Sequence, residues 1–354
     1  MERSAVFSVM RRRDDLPEMR LPLAILFMLA TALTSAAAAR LASPAADAPL
    51  HSANIAGLLA SLPFLPLAVM TYALVILLWR RLASLLATPL SFGAMLLFGA
   101  RFAEAFSLTL AILFASYVFA VSLISKETRF RRIASLAVAA AIGFGLAAAG
   151  RVAVDFGSFS ALTEAYMNEI PALIATVYSA LLGGGETFDA SLFREMARDL
   201  FVMTPAYFGM ICVGFAWFAD LMIRRMFTVL GCEAVFTDED GGVTLPPVYA
   251  AIYAGVFVLT LLTPSETAPL LHAMFKSALL VMALPCSAVG VRGISERLEE
   301  KLFYVTREKL LAFLLLFVLF SVLGAFPFML LTSVWGAVFV LRRRFHQEKK
   351  GGAD

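Results

Sequence analysis

Long apolar runs alternate with short polar segments along the whole chain. A helix needs about 20 consecutive apolar residues to cross a hydrocarbon core of about 30 Å. Runs of about this length cover 21–39, 56–79, 84–100, 105–124, 133–150, 200–223, 247–263 and 268–291, and a longer stretch follows at 308–341. The pattern predicts an all-α fold, a polytopic bundle of transmembrane helices.

The last apolar stretch, 308–341, is too long for one span, because as a helix it measures about 51 Å. Gly324 and Pro327 lie near its middle, where membrane helices tolerate a turn. We therefore interpret it as a helical hairpin of 308–323 and 326–341. With this hairpin the chain has about ten spans, within a range of eight to ten.

The distribution of Lys and Arg predicts the orientation, because basic residues concentrate in cytoplasmic loops. With the N-terminus inside, 23 of the 29 basic residues face the cytoplasm, five lie outside and Lys276 lies within a span. The basic run Arg342–Arg344 lies inside only if the last stretch is a hairpin. We therefore expect both termini on the cytoplasmic side.

These features divide the chain into five parts. We expect a basic cytoplasmic N-terminus (1–20), a five-span bundle (21–151), an external amphipathic segment (152–199), a second five-span bundle (200–344) and a polar cytoplasmic tail (345–354). The run 21–39 has an alternative interpretation. Its basic flank, apolar centre and small residues at Ala36–Ala38 also resemble a secretory signal that is cleaved.

The external segment 152–199 is acidic, but its apolar residues recur at helical spacing in two sets that Gly183–Gly185 separate. This pattern predicts two amphipathic helices that lie on the outer surface or cap the bundle. The segment is either a structured linker between the two bundles or a lid over a substrate path.

Composition excludes several classes of protein. Hydrophobic residues make up 61% of the chain and charged residues 16%, which is outside the range of soluble domains. A net charge of +3 is too small to indicate nucleic-acid binding. The three cysteines and three histidines lack metal-ligand spacing, and nucleotide-binding and hydrolase motifs are absent. We expect no catalytic residue, no metal site and no cofactor, and interpret the chain as not an enzyme.

One charged residue lies deep within a predicted span. Lys276 is near the middle of 268–291, where a lysine costs about 2.5–3.5 kcal/mol. His272 lies one turn earlier on the same face, and Ser277 extends the polar stripe. These three residues are candidates for binding a substrate or handling a proton. Alternatively, Lys276 is structural and pairs with a carbonyl or carboxylate on a neighbouring helix.

Asp220 is the acidic residue well inside a predicted span, and Arg224 follows it at i+4. This spacing brings the two side chains to one helix face. We expect an ion pair near the cytoplasmic end of the sixth span.

Small residues recur every four positions along the fifth span, at Ser135, Ala139, Gly143 and Ala147. Small side chains let helix backbones approach closely in a membrane. This ladder is expected to pack within the chain or against a membrane partner subunit.

The order of these features resembles the YybS-like family of predicted bacterial membrane proteins, whose domain has no established function. The similarity extends over about 21–344 and rests on the segment Leu62–Pro66, on Leu230-Gly231 with the later Leu245-Pro246, and on the ending Leu341–Arg344. The N-terminal half of that family is similar to the substrate-binding components of energy-coupling-factor vitamin transporters. The resemblance implies a bacterial inner-membrane protein that binds or transports a small molecule, with a coupling partner.

Two hypotheses for function follow. In the first, the chain is a transport-related, permease-like component that binds an unknown small molecule near Lys276 and His272. In the second, it is a non-transporting membrane scaffold or assembly factor. Both place it in the lipid bilayer of the cytoplasmic membrane, and neither involves nucleic acid.

Overall fold

The computed structural model of the chain describes residues 21–42, 52–78, 81–182, 189–229, 244–266, 268–301 and 326–351. Within these residues every regular element is a helix and none is a β-strand. The predicted all-α class is confirmed for this part of the chain.

The helices are numbered in chain order. They are α1 (Leu21–Ala42), α2 (Ser52–Ser61), α3 (Phe64–Leu78), α4 (Arg81–Leu97), α5 (Phe102–Ile124), α6 (Arg129–Phe156), α7 (Phe159–Leu182), α8 (Arg194–Val229), α9 (Pro247–Leu262), α10 (Pro269–Lys301) and α11 (Phe326–Gly351). A 3₁₀ turn, Ala190–Phe193, leads into α8.

Six segments of the described chain are long and apolar enough to cross a membrane. They are Ile25–Ala42, Gly57–Leu77, Phe102–Ile124, Arg129–Phe156, Ala190–Val229 and Pro269–Ile294. Shorter apolar helices cover Leu85–Leu97, Pro247–Leu262 and Met329–Arg342. Nine of the ten predicted runs thus coincide with described helices, and 308–323 lies outside the described residues. The chain has the helices of a membrane protein, while the count of ten spans and the orientation of the ends stay predictions.

The run predicted at 56–79 is broken into two helices. α2 ends at Ser61 and α3 begins at Phe64. Pro63 lies in the turn between them, and its nitrogen cannot donate the hydrogen bond that a continuous helix requires.

The segment predicted as external, 152–199, contains α7 and the first residues of α8. Because α8 continues without a break over 36 residues, or about 54 Å, the second predicted amphipathic helix is continuous with the sixth predicted span. No Gly or Pro lies between Arg194 and Thr204 to end the helix at the expected boundary. Gly183–Gly185 lie outside the described residues.

Asp189 caps the 3₁₀ turn before α8. Its carboxylate accepts a hydrogen bond from the backbone amide of Ser191 at 2.9 Å. This hydrogen bond stabilises the ionised form and lowers the pKa of Asp189.

The helices group into two compact units. Unit 1 comprises the described residues within Met1–Val202 and Cys212–Asp240, and unit 2 those within Met203–Ile211 and Gly241–Asp354. Helix α8 therefore contributes residues to both units. In this grouping the second half of α8 belongs with the N-terminal helices. The two five-span bundles stay a prediction.

Unit 1 is built on small residues. Helix α1 packs against α3 and α4, and α5 packs against α3 and α6. Ala68 and Ala73 of α3 and Ala115 and Ala120 of α5 are fully buried. Small side chains allow this close approach of helix backbones.

Unit 2 centres on a close crossing of α10 and α11. A Cβ atom on Gly290 would overlap the carbonyl oxygen of Thr332, and one on Gly336 would overlap the carbonyl oxygen of Cys286. The hydroxyls of Ser287 and Thr332 are 2.7 Å apart across this crossing. Helix α9 joins it through Tyr253, whose hydroxyl lies 2.6 Å from that of Ser333.

Candidate functional site

The interior of unit 1 carries hydroxyl groups on four adjoining helices. Thr31 and Ser35 of α1 are buried, as are Thr71 of α3, Ser91 of α4, and Thr109 and Ser116 of α5. Each of these four helices contacts the other three. The hydroxyls therefore lie within one packed group of helices.

Hydrogen bonds connect several of these hydroxyls through α3. The hydroxyls of Thr31 and Thr71 are 3.0 Å apart, and the hydroxyl of Ser116 donates to the carbonyl of Val69 at 3.1 Å. On the other side, the hydroxyl of Tyr72 contacts that of Thr88 on α4. Helix α3 thus has polar contacts with α1, α4 and α5.

Ser35 and Ser91 differ from the other interior hydroxyls. Both are buried, and in the residues that the structure describes neither hydroxyl has a hydrogen-bond partner. Ser35 lies one turn after Thr31, and Ser91 lies one turn after Thr88, so each follows a residue that is connected to α3. The two unsatisfied hydroxyls therefore lie on helices that both contact α3.

The described side chains around these hydroxyls are uncharged. In α1, α3, α4 and α5 the charged side chains that the structure describes are Arg40 and Glu104, which lie in the end turns of their helices. An interior of this kind can hydrogen-bond to a polar group but cannot neutralise an ion.

A second polar site joins α6 to α8, and we call it the arginine cluster: Arg129, Arg132 and Arg224 around Asp220. The carboxylate of Asp220 accepts hydrogen bonds from the Nε atoms of Arg129 at 2.9 Å, Arg132 at 2.7 Å and Arg224 at 3.2 Å. Asp220 is fully buried, and the Arg132 side chain is 1% exposed. The predicted pair of Asp220 with Arg224 is in contact, together with two arginines from another helix.

Charged residues also meet at the opposite end of α6. Asp155 accepts hydrogen bonds from Arg101 at 3.1 Å and from Arg151 at 3.3 Å. Arg151 also lies 3.9 Å from Glu104 and donates to the carbonyl of Ala42 at 2.7 Å. Arg132 and Arg151 are about 28 Å apart along the helix, which is close to the thickness of a hydrocarbon core.

The residues predicted as a substrate site lie on α10 in unit 2. Lys276 is exposed, and in the described residues no hydrogen bond or ion pair involves it. The Nδ1 atom of His272 lies 2.8 Å from the carbonyl oxygen of Thr263, at the end of α9. Ser277 is half-buried. The long stem of Lys276 can carry its ammonium group toward the edge of a bilayer, so a lysine here does not require a polar partner at its own depth.

One residue of the ladder of small residues, Gly143, lies at the contact between α6 and α5. A Cβ atom on Gly143 would meet the Cα atom of Ala111 at 3.1 Å, and Ala139 is buried. Ser135 and Ala147 are half-buried. For Gly143 the close neighbour is therefore within the chain itself.

Arg129, Arg132 and the interior hydroxyls are absent from the sequence-based candidates. The two arginines were counted only as loop charges, and their contact with Asp220 spans about ninety residues of sequence. For the hydroxyls the sequence does contain a signal: Thr31 and Ser35 are four residues apart within an apolar run, which places both hydroxyls on one helix face.

Within the described residues, no group of three or more His, Cys, Asp or Glu side chains could hold a metal ion.

The chain was compared with protein families, curated proteins and solved structures. None of them matches it.

Proposed function

We propose that this membrane protein is a transport-related component, and that unit 1 binds an uncharged polar small molecule among α1, α3, α4 and α5. The observation that carries the proposal is the pair of buried, unpartnered hydroxyls of Ser35 and Ser91. A buried hydroxyl without a partner costs about 1–3 kcal/mol. A ligand that satisfies both hydroxyls removes that cost, and this gain contributes to its affinity.

The chemistry of the interior limits the class of ligand. Serine and threonine hydroxyls both donate and accept hydrogen bonds, and the other buried side chains that the structure describes on these helices are hydrophobic. An ion would lose its hydration there without gaining a counter-charge. The ligand class that fits is therefore neutral and rich in hydrogen-bonding groups, such as a polyol, an amide or a neutral heterocycle.

The resemblance to the YybS-like family supports the same function. The N-terminal half of that family is similar to vitamin-binding components of transporters, and by this resemblance we take α1 to α6 as the counterpart of that half. The resemblance and the hydroxyl-lined interior are independent arguments for small-molecule binding by the N-terminal helices.

A thermal-unfolding screen tests this proposal. The full chain, purified in detergent, is screened against a panel of neutral polyols, amides and heterocyclic metabolites. We expect at least one compound to raise the unfolding temperature. Ser35→Ala and Ser91→Ala should each lower the affinity for that compound by about tenfold, since a hydrogen bond of about 1.4 kcal/mol is lost.

Ser122→Ala is the matched control. Ser122 is equally buried, but its hydroxyl already donates to the carbonyl of Phe119 at 2.8 Å. We expect this variant to bind the compound like the parent protein.

Lys276→Ala, at the site predicted from the sequence, distinguishes binding in unit 1 from binding in unit 2. Loss of binding in Lys276→Ala, with normal binding in both Ser35→Ala and Ser91→Ala, would place the ligand in unit 2 and contradict the proposal.

A panel without any stabilising compound would also count against ligand binding. Stable co-purification with another membrane protein, in the absence of any effect of small molecules, would favour a scaffold or assembly factor.

A further inference from the structure

Charged residues near the C-terminal end of α6 connect it to the ends of α1 and α5. Arg151 of α6 donates to the backbone carbonyl of Ala42, the last residue of α1, at 2.7 Å. Arg151 also donates to Asp155 at 3.3 Å, and Asp155 accepts from Arg101, which directly precedes α5, at 3.1 Å. We give the name Arg151 latch to Arg151, Ala42, Glu104 and Asp155.

The latch lies at the end of unit 1 that is nearest the proposed binding site. Ser35 is seven residues before Ala42 on α1. Ser91 is six residues before Leu97, where α4 ends. Each serine is therefore about 9–11 Å along its helix from that end. The two helix ends lie on the same side, because a short turn joins α4 to Arg101, which contacts the latch.

The latch contains a second acceptor for Arg151. The Oε1 atom of Glu104 is buried, and in the part of the chain that the structure describes it has no hydrogen-bond partner. The Nε atom of Arg151 lies 3.9 Å from it, which is too far for a hydrogen bond. A buried oxygen without a hydrogen bond is unfavourable. A bond from Arg151 to Glu104 would therefore offset the loss of its bond to Ala42.

The contacts of the latch can break at little cost. The side chains of Arg151 and Glu104 are 22% and 19% exposed, so water screens their attraction, and ion pairs of this kind contribute little to stability. Between Ser35 and Arg40, α1 carries only alanines. Because alanine has little apolar surface, moving this end of α1 exposes less of it than moving larger side chains would.

We propose that the Arg151 latch is a gate for the binding site in unit 1. With Arg151 bound to Ala42, the end of α1 is held to α6 and the path to Ser35 and Ser91 is closed. With Arg151 bound to Glu104, that end of α1 is released. This inference rests on the proposed function, and it adds the route by which an uncharged polar molecule enters, at the end of α1 beside Arg151.

Helix α2 moves with the end of α1. A Cβ atom on Gly57 of α2 would overlap the carbonyl oxygen of Leu41 in the last turn of α1, so the two helices are in close contact there. The break between α2 and α3 at Pro63 serves as the hinge, because no continuous helix crosses it.

Labelling of an introduced thiol tests the gate without any ligand. The full chain carrying Ser35→Cys is purified in detergent and treated with N-ethylmaleimide, a small uncharged molecule. Peptide mass spectrometry follows labelling at position 35 separately from the native cysteines. We expect Arg151→Gln to accelerate this labelling about tenfold, because the shorter, uncharged side chain loses the charge-assisted hydrogen bond to Ala42.

Arg101→Gln is the matched control. It removes a positive charge from the same network, since Arg101 also contacts Asp155, but among the described residues Arg101 makes no hydrogen bond to α1. We expect it to change the labelling rate less than about twofold. Ser122→Cys controls for general loosening, because Ser122 is buried near the other end of α5. Equal effects of Arg151→Gln and Arg101→Gln at position 35, or an equal acceleration by Arg151→Gln at positions 35 and 122, would overturn the proposal.

Glu104→Gln distinguishes a gate from a purely structural contact. Glu104 stabilises the released state of a gate, so loss of its charge should slow the labelling of Ser35→Cys about threefold. A network that only holds the helices together would loosen in Glu104→Gln as it does in Arg151→Gln. Unchanged or faster labelling in Glu104→Gln would therefore contradict the gate, and this variant alone decides the outcome if Arg151→Gln does not fold.

Failure of the gate is distinguishable from failure of the proposed function. The labelling rates need no bound compound, so they test the gate even when the ligand screen is negative. A compound that binds through Ser35 and Ser91, together with labelling that does not respond to Arg151→Gln, would exclude the gate and leave the binding site in place.

Discussion

At the scale of single residues, Asp220 has the greatest consequence for stability. Its carboxylate is fully buried and is the shared acceptor for three guanidinium groups, two of them on α6. Without that negative charge, three cations would face one another at short distance in a region with little solvent. Coulomb repulsion at such distances is strong where the dielectric constant is low.

We therefore expect Asp220→Asn to lower the free energy of unfolding by about 3–5 kcal/mol, as is typical when one partner of a buried ion pair is removed. Unfolding of the purified protein by denaturant in detergent measures this change. Asp189→Asn is the control, because Asp189 is exposed and asparagine also caps a helical turn well. A loss below about 1 kcal/mol in Asp220→Asn would mean that the arginines are neutralised by another group.

At the scale of elements, the crossing of α10 and α11 depends on two glycines. The carbonyl oxygens of Thr332 and Cys286 occupy the positions where Gly290 and Gly336 would carry a Cβ atom. An obstacle of backbone atoms cannot move aside as a flexible side chain can. Any larger residue must therefore separate the two helices and weaken the contact between Ser287 and Thr332.

Gly336→Ala tests this crossing. We expect it to lower stability by about 1–3 kcal/mol through overpacking, although alanine favours a helix more than glycine does. Gly255→Ala in α9 is the control, since a Cβ atom there meets nothing within 4 Å. That variant should be neutral or more stable by up to about 1 kcal/mol. Thermal unfolding of both variants in the same detergent compares them directly, and equal stability of the two would contradict the close crossing.

The elements also show what the sequence could predict. Apolar runs locate membrane helices because a span requires about 20 apolar residues, independently of which helices it packs against. Nine predicted runs coincide with described helices. The end of the predicted external segment stays a prediction, because amphipathic and apolar stretches of α8 follow each other without a residue that stops a helix.

Contacts between helices were less predictable. Asp220 and Arg224 are neighbours on one helix, so their spacing was sufficient to pair them. Arg129 and Arg132 reach Asp220 from a helix that is distant in sequence, and no local pattern reports such a contact. Burial of Ser35 and Ser91 also depends on the packing of several helices, which hydrophobicity alone does not specify.

At the scale of the whole molecule, each unit has its own polar chemistry. Unit 1 contains the unpartnered hydroxyls and the arginine cluster. The described part of unit 2 contains the glycine crossing and the exposed Lys276. Binding and packing variants in the two units can thus be tested independently, because none of the proposed sites needs residues from both.

The separation of Arg132 and Arg151 along α6 also sets the hydrocarbon thickness of the bilayer that the protein is expected to match. A helix with charges about 28 Å apart is expected to tilt in thinner bilayers and to be strained in thicker ones, at a cost of fractions of a kcal/mol per Å. Unfolding temperatures in phosphatidylcholine vesicles of increasing acyl length should pass through a maximum near 30 Å. Arg151→Leu should move that maximum toward thicker bilayers, and a flat profile would contradict this. Hydrophobic mismatch alone would then sort the protein among membranes of different thickness, whatever molecule it binds.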